Sequence, residues 1–216
     1  MKKLLAIVLI LFVTMSMATN TFTAQAKSKA KATCITQSEV QFENSFRKLW
    51  IDHVLWTSNY ITSATTPGTE NQEEILARLM KNQEEIGNAI KPYYGEEAGN
   101  QLTTLLKEHI TLAGEIVAAA NTGNQAKLDE LNKKWYANAD EMAAFLSKAN
   151  PNLKLADVKS LLYMHLKSIT DDLATSLAKD WNANIAAIDE GVTHIIMMSD
   201  TITNAIIKQF PEKFKN

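Results

Sequence analysis

The chain has 216 residues, 46% of them hydrophobic and 21% charged, with a formal net charge of −2 at pH 7. It lacks the basic surplus that marks most nucleic-acid-binding proteins, so nucleic acid is set aside as a partner. Its single cysteine, Cys34, excludes an intramolecular disulfide.

The first segment reads as an export signal. Lys2 and Lys3 precede an apolar run from Leu4 to Val13, and Ala24-Gln25-Ala26 fits the small-x-small cleavage pattern. The run is short for a membrane span, and no later stretch is long enough to make one. Residues 1–26 are therefore expected to be a signal peptide, with the mature chain starting near Lys27 and acting on the secreted, extracytoplasmic side. Cleavage would remove two lysines and no acids, leaving 20 basic against 24 acidic side chains. Residues 27–38 read as a basic, flexible lead-in, with Cys34 a free thiol. A protein partner is not specified by any of these features.

Residues 39–214 form one expected domain, large enough to bury a core without disulfide staples. Proline and glycine are scarce and clustered, at Pro67-Gly68, Pro92 to Gly95, Gly123 and Pro151. The stretches between them are rich in helix formers, and their apolar residues recur by threes and fours. Phe42, Phe46, Leu49, His53, Trp56 and Tyr60 show this, as do Leu128, Leu131, Trp135, Asn138, Met142 and Phe145. The spacing predicts helices near 39–64, 71–91, 96–120, 126–148, 155–177 and 181–209. The turn at 177–181 has no glycine or proline, so the last two could instead be one bent helix. No two-residue alternation suggests strands. The expected class is all-α, an up-and-down helical bundle of about six helices.

A shift of 56 residues superposes the pattern on itself. It carries His53 onto His109 and His165, Leu49 onto Leu105 and Leu161, and Phe46 onto Leu102 and Val158. A second series lies 29 residues behind the first, at Asn82, Asn138 and His194. Three pseudo-repeated hairpins follow, at about 45–100, 101–156 and 157–212. A rival local match, Lys134 to Asn138 against Lys179 to Asn184, would pair Asn138 with Asn184 instead of His194. In antiparallel hairpins, residues equidistant from a turn lie level. The four histidines and two asparagines are thus expected to form one inward layer.

Buried polar groups without partners cost roughly 1–3 kcal/mol each, so these six must bond to one another, to water or to a ligand. Neutral imidazoles suit a divalent transition metal such as zinc or copper, which makes His53, His109, His165 and His194 candidate metal ligands. Asn82 and Asn138, with the neighbouring carboxylates Asp52 and Glu108, are candidate ligand-binding or ring-orienting groups. Glu85, Glu141, Asp189 and Glu190 lie near enough in sequence to join them. Met197 and Met198, one turn beyond His194, add soft donors, and Asp172 continues the stripe of His165 and Ser168. Two other readings compete: a polar layer that only fixes helix register, and an enzyme using the histidine cluster. No nucleophile is visibly paired with a histidine, and there is no phosphate loop, HExxH, paired-cysteine motif or nucleophile elbow, so the balance leans away from catalysis.

The phrases at 49–57 (LWIDHVLWT), 82–95 (NQEEIGNAIKPYYG), 105–110 (LLKEHI), 134–140 (KWYANAD) and 206–211 (IIKQFP) resemble a group of small exported, all-helical proteins of Gram-positive bacteria. The resemblance covers nearly all of residues 45–214 and implies one exported helical domain. Some members carry glycosyltransferase or acetylglutamate kinase labels. Either activity would need nucleotide-recognition elements that this chain does not display.

Overall fold

A computed structural model describes residues 35–215; the expected signal peptide, most of the lead-in and Cys34 lie outside them. The described residues are all-α: α1 (Gln37–Thr65), α2 (Gln72–Asn121), α3 (Gln125–Ala149), α4 (Leu155–Ala178) and α5 (Trp181–Gln209), closed by a 3₁₀ turn at Pro211–Phe214. They pack as a helical bundle. None of these helices is long and apolar enough to cross a membrane.

The ends of the helices follow from local chemistry. Thr36 and Glu39 form a reciprocal capping box at the start of α1. The Thr36 and Ser38 hydroxyls also donate to the Phe214 carbonyl, at 2.8 and 2.7 Å, tying the first helix to the last turn. The side chains of Asn124 and Asp180 cap α3 and α5.

Two turns bear on the expectation. Helices over 71–91 and 96–120 were anticipated as separate, and α2 is two helices that meet at a kink at one non-helical residue, Gly95, at φ 86° and ψ 171°. That left-handed conformation suits a residue without Cβ. The two arms, 72–94 and 96–121, then fold back on each other. A Cβ on Gly87 would stand 2.6 Å from the Gly99 carbonyl oxygen, whereas twelve residues of straight helix would separate the two by about 18 Å. The second is at 177–181, where helices over 155–177 and 181–209 were expected and a single bent helix was the alternative. The chain does turn there, because Lys179 takes the left-handed conformation itself, at φ 56° and ψ 28°.

Within the bundle α1 packs on α2, α4 and α5, α2 on α3, α3 on α4, and α4 on α5. The core is continuous from Phe46 and Trp50 through Leu106, Trp135 and Leu166 to Ile195 and Ile206, all 5% exposed or less.

Candidate functional site

Midway along the helices the apolar core is interrupted. His53, His109 and His165 are each 2% exposed, Asn82 0%, Asn138 3% and His194 8%. The six residues expected to face inward therefore do so. They do not form one uniform ring. His165 sits between the other two rings, with centroids 5.3 Å from His53 and 6.1 Å from His109. His109 also stacks on Trp135, at 5.1 Å.

Hydrogen bonds set the protonation of each ring. Asn138 donates its amide to the Leu105 carbonyl at 3.1 Å, so its oxygen faces His109 and accepts from Nδ1 at 3.0 Å. Gln83 donates to the Leu79 carbonyl and to Asn82 Oδ1, which turns its own oxygen toward His53 Nδ1, at 3.2 Å. The Nε2 atoms of His53 and His109 consequently carry lone pairs. His53 Nε2 lies 3.3 Å from His165 Nε2, so His165 donates there and its Nδ1 is left bare, buried and without a partner. His194 donates through Nε2 to the Leu161 carbonyl at 2.8 Å, leaving its own Nδ1 bare and unpartnered too.

Burial holds the three clustered rings neutral. Desolvation lowers His53 to about 3, aided by the nearby His109. It lowers His109 to about 4, and His165 falls well below its ordinary value, again through burial first and the adjoining imidazoles second.

One bond recurs three times. Asn82 donates to the carbonyl of Leu49, Asn138 to that of Leu105 and His194 to that of Leu161, each across 33 residues. Asn184, the rival partner for Asn138, does something else: it donates to Asp172 Oδ1 at 2.8 Å and to the Asp172 carbonyl at 3.1 Å. Ser58 donates to the other carboxylate oxygen at 2.6 Å. Asp172 is 1% exposed, and burial raises its pKa against the pull of these two bonds.

The carboxylates proposed from sequence do not reach the rings. Asp52 is ion-paired with Lys48 at 2.6 Å and Arg78 at 3.6 Å, on the outer side of α1. Glu108, Glu141, Asp189 and Glu190 are exposed, and Glu85 pairs with Arg78 at 3.2 Å. The reason is helical geometry: a residue next to an inward histidine is rotated about 100° away from it. Among the described residues, no group of three or more His, Cys, Asp and Glu side chains is arranged to hold a metal ion. The core rings use their nitrogens on one another and on amides. Gln83, fully buried at the centre of this network, is the participant the sequence did not single out. The residues 56 and 112 positions further on, Ala139 and Ile195, are apolar and equally buried, so a polar side chain at that register was the available signal.

Against one side of the imidazoles lies a cavity of about 250 Å³. Thr57, Ile110 and Ile169, each four or fewer residues beyond a clustered histidine, line it with Trp135. Further out its wall is made of small residues, Ala113, Gly114 and Ala120, together with Tyr60. Tyr60 Oη accepts from Gln72 Nε2 at 3.1 Å and keeps its own proton to donate. Ala174 and Leu177 are exposed at its edge. No protein-family model, curated protein or solved structure matches this chain.

Proposed function

We propose that this is an exported, non-catalytic bundle of three repeated hairpins that binds a small, largely apolar molecule beside its central imidazole layer. The cavity carries this reading. Well-packed cores leave few voids larger than a water molecule, and an engineered apolar cavity of about 150 Å³ is enough to admit benzene. A space of about 250 Å³ suits a fused two-ring aromatic or a branched alkyl group. Thr57, Tyr60, Asn132 and Thr170 are the polar residues of its lining, and the Tyr60 hydroxyl keeps a proton with which to orient such a molecule. The repeat is supported by the three bonds of equal span from Asn82, Asn138 and His194, which favour pairing Asn138 with His194 over Asn184. A metal ion among the core rings is the weaker form of the ligand reading, because no three His, Cys, Asp or Glu side chains among the described residues are arranged to hold one.

The test uses naphthalene as probe. It is expected to raise the melting temperature of the wild type in a concentration-dependent way, since a ligand that favours the folded state stabilises it by mass action. Ala113→Leu, which fills the space, is expected to weaken binding more than tenfold while leaving the helical spectrum intact. No shift for the wild type, or equal shifts for both proteins, overturns the reading.

A second reading rests on the same three recurrent bonds. Each joins an inward polar side chain to the backbone of the preceding helix, which fixes the vertical register of that pair. On this reading the polar layer aligns the hairpins and the cavity is left by the alignment.

A further inference from the structure

The outer face of the α4–α5 pair carries a groove lined by Met164, Asp189, Glu190, Thr193, His194 and Met197. Its two methionines are unlike the others of the bundle. Met142 and Met198 are 2% exposed and fill the core, whereas Met164 is 51% and Met197 46% exposed. Glu190, His194 and Met197 follow one another at four and three residues, along one face of α5. Met164 faces them from α4.

His194 is the second observation. Its ring is more than nine-tenths buried, and its Nε2 proton is committed to the Leu161 carbonyl. The tautomer is thereby fixed, and Nδ1 holds a lone pair with no hydrogen-bond partner. A backbone carbonyl on one nitrogen of a histidine is the usual outer-shell support for a metal on the other. No core ring has a backbone carbonyl on one nitrogen: His53 and His109 give their Nδ1 protons to Gln83 and Asn138, and His165 gives its Nε2 proton to His53.

We propose that this groove binds a monovalent copper ion, through His194 Nδ1 and the thioether sulfurs of Met164 and Met197. Thioethers are soft donors that select Cu(I) over zinc, magnesium or calcium. Glu190 and Asp189 supply negative charge at the rim, and Lys167, whose ammonium feels Glu190, is held by Asp171. The site is independent of the cavity and of what the cavity binds. Because Nδ1 is itself buried, binding there requires the flexible methionine side chains to turn toward it.

The experiment is a competition titration in which the purified protein takes Cu(I) from its coloured bicinchoninate complex. Cys34→Ser is present in every variant, because a free thiolate would take Cu(I) by itself. The expected result is one equivalent bound, with affinity at least tenfold lower in Met164→Leu and in Met197→Leu, and at least a hundredfold lower in the double variant. Leucine keeps the volume and removes the sulfur, so both fold as the parent does. Met142→Leu, in the core, is expected to leave affinity unchanged. Failure of the parent to take Cu(I), or a double variant within threefold of it, overturns the proposal. So does an equal loss on Met142→Leu, which would mark a general effect on the fold.

Discussion

The two halves of the bundle, on either side of the imidazole layer, are packed differently. Toward the Gly95 turn the core is aromatic: Phe42, Phe46, Tyr93, Tyr94, Phe210 and Phe214 touch in a chain of rings with centroids 4.9 to 6.0 Å apart. A space between Phe46, Trp50, Leu102, Leu106 and Ile202 there is about 30 Å³. Toward the turns at Thr66 and Thr122 the same helices meet across Ala113, Gly114 and Ala120, and the space is about 250 Å³. Equal helix register therefore does not give equal packing. Where rings interlock, the end of the bundle serves as an anchor. Where the second arm of α2 presents Ala113, Gly114 and Ala120 to its neighbours, a void remains.

Acid should expose that difference most strongly. The three clustered imidazoles are neutral in the folded protein, with His53 near 3, His109 near 4 and His165 well below its ordinary value. An unfolded chain protonates them around pH 6.5. Between the folded and unfolded values the unfolded state binds more protons, so stability falls as pH falls through 6.5 toward 4. From pH 7 to pH 5 the loss should be about 2 kcal/mol per imidazole, or about 6 kcal/mol for the three. Asp172, raised by burial, acts in the opposite sense, and it is a single group against three. Urea unfolding at the two pH values measures the total. Hydrogen exchange at pH 5 should show residues 113–120 and 169–177 opening before residues 42–50 and 90–106. A flat stability between pH 7 and 5, or simultaneous opening of the two ends, would break the comparison.

Truncation should cost more at the packed end. Phe46, 1% exposed between the rings of Phe42 and Trp50, should lose about 3–5 kcal/mol on change to alanine. Leu173 already borders the void, so Leu173→Ala should lie near 2 kcal/mol, at the low end for such changes. Chemical denaturation of the two variants checks the order, and a reversal would show that the hollow end is the better packed.

The smallest effect is expected in the layer. Asn138→Ala removes the acceptor of His109 Nδ1 and the donor to the Leu105 carbonyl. The unpaired groups should cost about 1–3 kcal/mol, with no change in naphthalene affinity if the layer only aligns the helices. A simultaneous loss of affinity would instead make Asn138 part of the binding site.

Much of the architecture was readable from local pattern. The limits of the helices at 155 and 209, the inward positions of His53, His109 and His165 and of Asn82 and Asn138, and the absence of strands follow from spacing and from where glycine and proline lie. Each depends on a helical period and on nearest neighbours in sequence. The turn at 177–181 was also expected there, but not that a lysine, Lys179, would make it in a left-handed conformation where the sequence offers no glycine.

By itself, then, the sequence determined the helices and the polar level at which they align, since helical period and the positions of glycine and proline are local properties of the chain. Only the tertiary structure decided what each polar group does there. It drew Gln83 to His53, turned Asp52 and Glu108 away from the rings, and left His194 with a bare nitrogen beside two methionines of an outer groove. It also made one end solid and the other hollow. Hydrogen-bond pairing and void volume are sums over side chains from four or more separate helices, and no single periodicity encodes such a sum.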